Sequence, residues 1–239
     1  MCWNVTIIDT KYSIPPRSRS GATLTTIRNK AYLIGGVSNH LHDEVFEYDF
    51  VTETWKLVEH LNEHNLYKTR FAHSATLYQN SIFVYGGEEG YNAMHKKRSL
   101  FNDINEFNTI TDWWGEVHSS DFIFSRRKHH ASWCVGSTLV VHGGLDPSGY
   151  SIDEFFTFNL LNHSSCELKW FPNRLGNLCG HTFVSILNDS KTQFPKFEEY
   201  DEDIDYSKLA KINLAENSNF SQANPKDGIY CFGGKTKFW

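Results

Sequence analysis

Residues 70–87 read Arg70-Phe71-Ala72-His73-Ser74-Ala75-Thr76-Leu77-Tyr78-Gln79-Asn80-Ser81-Ile82-Phe83-Val84-Tyr85-Gly86-Gly87. Two short β-prone runs, His73–Leu77 and Ile82–Tyr85, flank Gln79-Asn80, a residue pair that a two-residue hairpin tolerates. The second run is apolar at consecutive positions and not at alternate ones, as in a strand covered on both faces. It ends on a glycine pair, where missing Cβ atoms allow a sharp bend and close backbone approach.

The same stretch recurs. Glycine pairs stand at Gly35-Gly36, Gly86-Gly87, Gly143-Gly144 and Gly233-Gly234, spaced 51, 57 and 90 residues apart. Sixteen residues before the first three pairs lie Arg19, Arg70 and Arg127, and thirteen before them lie Ala22, His73 and His130. Agreement at two independent offsets marks an internal repeat. Each unit then predicts four strands. Strand a is Ala22–Ile27, His73–Leu77 or His130–Val135, and strand b is Ala31–Ile34, Ile82–Tyr85 or Thr138–Val141. Strand c carries an aromatic followed by Asp or Asn (Tyr48-Asp49, Phe107-Asn108, Phe158-Asn159). Strand d is expected to begin at a tryptophan: Trp55 and Trp114 follow six residues after that Asp or Asn. In the third unit the tryptophan is Trp170, eleven residues after Asn159, which predicts a connection lengthened by five.

These residues resemble the kelch repeat: a basic residue, a b strand ending in Gly-Gly, a Tyr-Asp-like pair and a spaced Trp. The resemblance covers about residues 3–234 and implies an all-β kelch-type β-propeller of four-stranded blades. The units fall at 17–61, 68–118, 125–171 and 178–239 of a single domain. The fourth has Leu178 at the basic position, although Gly180-His181 keeps the start of strand a. Trp3–Ile8 reads as a leading d strand. One leading strand, three full blades and two strands of a fourth predict a partial propeller, because a ring of six or seven units needs on the order of 300 residues at ~50 each. The missing blades are expected from further chain, a second copy or a partner; the alternative is a small, defective four-bladed ring in which Trp3–Ile8 joins strands a and b of unit four. An open ring would leave apolar blade surface exposed.

Residues 188–227 interrupt unit four between His181–Leu187 and Ile229–Phe232. They hold nine acids and five lysines, which accounts for most of the chain's net charge of −5. Long polar segments of this kind read as mobile insertions, with a short helix expected over Ser207–Asn217. An acidic chain has no general attraction to nucleic acid or anionic membrane. No run suits a membrane span and the first residues lack the shape of a signal peptide. The five cysteines are scattered with no CxxC, which together predicts a cytoplasmic protein with reduced thiols.

Candidate chemistry is sparse. His73, His130 and His181 hold equivalent repeat positions, which points to structure. His40-x-His42-Asp43 lacks a third ligand at metal-site spacing, so no metal and no cofactor is expected. Gly233-Gly234-Lys235-Thr236 ends like a phosphate loop but is the repeat's own glycine pair. The regular tryptophans read as packing between blades. No nucleophile elbow or dinucleotide fingerprint is present, so no catalytic residue is assigned.

Varied loops on a rigid repeated scaffold are where recognition sits. In alternating strands the b–c and d–a connections share one face. The most distinctive is Glu88-Glu89-Gly90-Tyr91-Asn92-Ala93-Met94-His95-Lys96-Lys97-Arg98, joined on that face by Arg126-Arg127-Lys128. Glu88, Glu89, Tyr91, Met94, His95, Lys96, Lys97, Arg98, Arg126, Arg127 and Lys128 are therefore the expected protein-binding residues. They favour a partner with acidic groups near an apolar anchor. The resemblance implies a non-catalytic interaction scaffold. Two other uses of such blades are a substrate adaptor for ubiquitin ligation, needing a BTB or F-box segment not found in these residues, and an enzyme on a kelch-like propeller, needing a convergent catalytic cluster.

Overall fold

The computed structural model describes residues 13–59, 67–91, 98–118, 124–168, 176–186 and 228–235. Trp3–Ile8, residues 188–227 with their expected helix, and the fourth unit's last residues lie outside them. Every element among the described residues is a β-strand. The first sheet is β1 (Thr23–Ile27), β2 (Lys30–Ile34), β3 (Val45–Asp49) and β4 (Thr54–Val58). The second is β5 (Ser74–Tyr78), β6 (Ser81–Tyr85), β7 (Ile104–Asn108) and β8 (Trp113–Val117). The third is β9 (Ala131–Val135), β10 (Thr138–His142), β11 (Phe155–Asn159) and β12 (Ser165–Leu168). A fourth, two-stranded sheet pairs β13 (Cys179–Ile186) with β14 (Gly228–Lys235). Neighbouring strands are consecutive and antiparallel throughout, the four-strand meander expected of each blade.

The chain divides into two compact units, residues 1–119 with 123–128, and residues 120–122 with 129–239. The first unit holds the first two blades. Its core joins Tyr32, Ile34, Val45 and Val58 of the first blade to Ile82, Val84, Phe107 and Trp114 of the second, with Tyr67. Trp114 is fully buried and stacks on Tyr67 with 3.9 Å between ring centroids, so this indole does pack between blades. The second unit centres on Trp133 against Phe155 and Phe183.

One device sets the length of every c–d turn. The side-chain oxygen of Asp49, Asn108 or Asn159 accepts hydrogen bonds from the backbone N–H groups two and three residues on. A residue with positive φ then closes the turn: Glu53, Asp112 or His163. This corrects the expectation at Trp170. The register sets Ser165 opposite Phe158, as Trp55 lies opposite Tyr48 and Trp114 opposite Phe107. Strand d of the third blade therefore starts before Trp170, its turn has gained no residues, and a serine stands at the tryptophan position. Trp170 itself lies outside the described residues.

In the first three units strand a starts one residue later than the repeat alignment places it, whereas β13 starts two residues earlier than His181. Gly21, Ala72 and His129 in the preceding turns, and Gly180 at the start of β13, are in left-handed conformation, two residues after each basic position or Leu178. Within each unit these turns are linked from blade to blade. The N–H of Ala72 donates to the carbonyl of Gly21 at 2.7 Å, and that of Gly180 to the carbonyl of His129 at 2.8 Å.

The glycine pairs answer to the next blade. The second glycine of the first three pairs donates its N–H to the carbonyl at the next unit's basic position or Leu178: within the first compact unit Gly36 to Arg70 and Gly87 to Arg127, and within the second Gly144 to Leu178. The first leaves room for the next blade's histidine. A Cβ on Gly35 would stand 2.9 Å from Cε1 of His73, and one on Gly143 the same distance from Cε1 of His181. The second glycine covers its own blade's histidine, since a Cβ on Gly87 or Gly234 would lie 2.8 Å from the Cβ of His73 or His181. Nε2 of His73 hydrogen bonds to the Thr23 hydroxyl at 2.9 Å. In the third blade Ala131 stands where the first has Thr23, and the cross-strand neighbour His142 offers Nδ1 to Nε2 of His181 instead, at 2.9 Å.

The repeat arginines complete the joint. Arg70 reaches Asp103 with two nitrogens, at 2.6 and 2.9 Å, and the Gly86 carbonyl at 3.1 Å. Its guanidinium also lies over Phe101. Arg19 repeats this more loosely, reaching the Gly35 carbonyl at 3.2 Å and Glu44 at 3.6 Å. A bidentate pair with further acceptors is the arrangement that offsets the desolvation of a buried guanidinium.

Two expectations follow. Gly35→Ala should destabilise the first unit by about 2–4 kcal/mol, from overpacking against the Arg70 carbonyl plus a left-handed φ of 65°. Gly115→Ala, with nothing within 4 Å of its Cβ, should stay within about 0.5 kcal/mol of wild type. Urea titration of the two variants separates them, and equal effects would contradict the packing described. The second concerns acid. Burial pushes His73 down to about 3, aided by Arg70, and His181 down to about 4, aided by His142. The unfolded chain takes up these protons below about pH 6.5 while the folded one does not, so their stabilisation is present above that value and lost on acidification. Between pH 7 and 5, with carboxylates still ionised, each should lose about 2 kcal/mol. His73→Gln should remove its own share, and a midpoint flat across that range would refute the buried neutral histidines.

Candidate protein-interaction site

The b–c connection of the second blade leaves the glycine pair at Glu88 and returns at Leu100. Backbone bridges hold its base: Glu88 pairs with Phe71 on one side and Leu100 on the other. The N–H of Glu89 donates to the Ser99 carbonyl at 3.0 Å, and that of Phe101 to the Gly87 carbonyl at 2.9 Å. The d–a and b–c connections of this blade thus meet, as alternating strands require. Beyond this base Gly90 lies against Leu41 of the first blade's b–c connection, 3.0 Å from where its Cβ would be.

The expected site residues separate into groups. Tyr91 is 60% exposed. Arg98 is exposed too, with its guanidinium 5.7 Å from the ring centroid of the half-buried Phe71. Arg126 is exposed and donates one nitrogen to the Leu100 carbonyl at 2.8 Å, which pins it beside the returning strand. Glu89 is partly exposed at the base of the loop. Met94, His95, Lys96 and Lys97 lie outside the described residues.

Two residues differ from expectation. Arg127 is wholly buried and offers no surface charge; it is the third blade's repeat arginine, and burial lowers its pKa from the usual guanidinium value. Glu88 is 3% exposed and not a surface acid. Its Oε2 accepts from Nζ of Lys128, and its Oε1 lies 3.5 Å from Nη1 of Arg98. Lys128 is therefore tied to a buried acid. Sequence reasoning missed Phe71 and Leu41. Their signal was faint, a bulky residue just after a repeat arginine and another five residues after a glycine pair.

Other polar clusters serve the fold. Both ring nitrogens of the buried His42 are engaged, Nε2 with Ser38 at 2.8 Å and Nδ1 with Glu44 at 3.2 Å. His142, which the repeat alignment did not single out, is buried between His181 and Asp153, whose oxygen lies 3.3 Å from Nε2. Among the described residues no three His, Cys, Asp or Glu side chains are grouped to hold a metal, and no helix is long and apolar enough to cross a membrane.

Comparison with known proteins places this architecture. The chain is 29% identical to Kelch domain-containing protein 3 of Rattus norvegicus over 192 residues, covering 75% of this chain and 47% of that protein. The chain spans about half the length of the curated relatives it matches first. It is also 27% identical over 135 residues to a Thlaspi arvense protein named N-(sulfonatooxy)prop-2-enimidothioate sulfolyase, covering 55% of this chain and 36% of that one. Membership in such a family fixes architecture and leaves chemistry to the site. Among solved structures, that of YjhT superposes with a TM-score of 0.56 at 15% identity, over 68% of this chain and 55% of that one, a likeness of fold alone. Residues 1–192 match the model of the KLHDC2/KLHL20/DRC7 Kelch-repeats domain, and with blades that repeat the motif strand for strand, the chain belongs to the kelch-repeat family.

Proposed function

We propose that this protein binds a protein partner through the b–c and d–a connections of its first two blades, recognising an acidic segment that carries an apolar side chain. Kelch repeats are protein-interaction modules in general, and the finer reading rests on one observation. Arg98 presents an exposed guanidinium on the b–c connection that also exposes Tyr91, and the exposed Arg126, from the following d–a connection, is tied to the Leu100 carbonyl at the bridged base of that loop. A paired loop base loses little entropy on binding, and exposed arginine with tyrosine is the composition of an interface hot spot. The role is that of a non-catalytic scaffold: the buried His73 is engaged with the Thr23 hydroxyl and the buried Glu88 with Lys128 and Arg98.

The test is a double charge reversal, Arg98→Glu with Arg126→Glu. Its circular dichroism should match wild type, and its unfolding midpoint should fall only modestly, since neither residue is buried and Lys128 still neutralises Glu88 when Arg98 is reversed. Proteins recovered by proximity labelling with wild type should fall at least tenfold. An unchanged partner set would exclude this surface.

A further inference from the structure

We infer that Glu88 is a built-in competitor at this surface: its carboxylate occupies Arg98 in the resting protein, and the partner's acid must displace it. The inference rests on the reading that the surface takes an acidic segment. Glu88 stands where the first and third blades carry Val37 and Leu145, each directly after a glycine pair and each in the same kind of backbone bridge. The fold therefore asks only for backbone at this position, and an aliphatic side chain satisfies it twice. A carboxylate buried there is an expense the blade does not need, and such departures from a local rule mark function more often than architecture.

The two cations that face this acid are held unequally. Lys128 makes the short contact to Oε2, with its side chain 25% exposed. Arg98 lies 3.5 Å from Oε1 with its side chain 53% exposed. Lys128 alone keeps Glu88 neutralised when Arg98 leaves, so the exchange never strands a bare buried charge. Arg98 also covers Phe71. Its departure toward an incoming carboxylate uncovers that ring, so one movement reads the acid and opens an apolar contact beside it. A partner with only one of the two features gains half of the exchange.

The experiment titrates wild type and variants with the peptide N-acetyl-Glu-Glu-Phe-Glu-amide, followed by amide chemical shifts. Glu88→Leu, which copies the third blade, should keep the wild-type unfolding midpoint or raise it and bind the peptide at least fivefold more tightly. Glu88→Gln, which keeps the shape and removes the charge, should also bind more tightly. Adding Arg98→Ala to Glu88→Leu should abolish the gain. Binding by both Glu88 variants no tighter than wild type, or none in any of these proteins, overturns the inference, as does unfolding of both variants. If Arg98→Glu alone abolishes peptide binding while the Glu88 variants give no gain, the recognition surface stands and only the role of Glu88 falls.

Discussion

The joint between successive blades is what the rest of the structure depends on. A histidine at the start of strand a needs space, and it finds it between two glycines, the second of its own blade's pair and the first of the preceding blade's. Adding a Cβ at either site puts heavy atoms closer than 3 Å, so the diglycine is a consequence of the histidine and of the carbonyl of the next repeat arginine, or of Leu178 in its place. The same N–H that the second glycine frees is spent on that carbonyl. Burial, backbone pairing and left-handed φ thus converge on one pair of residues, which is why the motif is so short and so regular.

Much of this was legible before any coordinates. The glycine pairs, the hairpin turns and the aromatic–Asx pairs announced four antiparallel strands per unit because each is a local backbone requirement. Trp170 shows where such reading fails. An indole at one register position is a packing choice, replaceable by serine, whereas the Asx-capped turn length is not. Following the side chain and not the turn shifted strand d by five residues. The exchange of Thr23 for Ala131, with His142 taking over the hydrogen bond, was equally invisible, since it depends on a cross-strand neighbour.

The site divides along the same line. Exposure of Tyr91, Arg98 and Arg126 could be read from a loop of mixed charge ahead of a basic cluster. The burial of Arg127 could also have been read, because it is the repeat arginine, and the blade's need for that arginine outweighs its place in a basic triplet. Glu88 was out of reach: acids in loops are ordinarily solvated, and only the bridge to Phe71 and Leu100 carries this one inward. The rigid joint and the variable loop are thus separate layers of one design, and the loop departs from the repeat where the joint imposes least.

Amide hydrogen exchange under native conditions tests the joint most directly. The N–H groups of Gly36, Gly87 and Gly144 should be among the slowest in their units, exchanging only when the whole unit unfolds, while that of Tyr91, in the exposed loop, exchanges many orders of magnitude faster. Glycine amides that exchange as quickly as Tyr91 would mean that these residues are not locked within their units in this way.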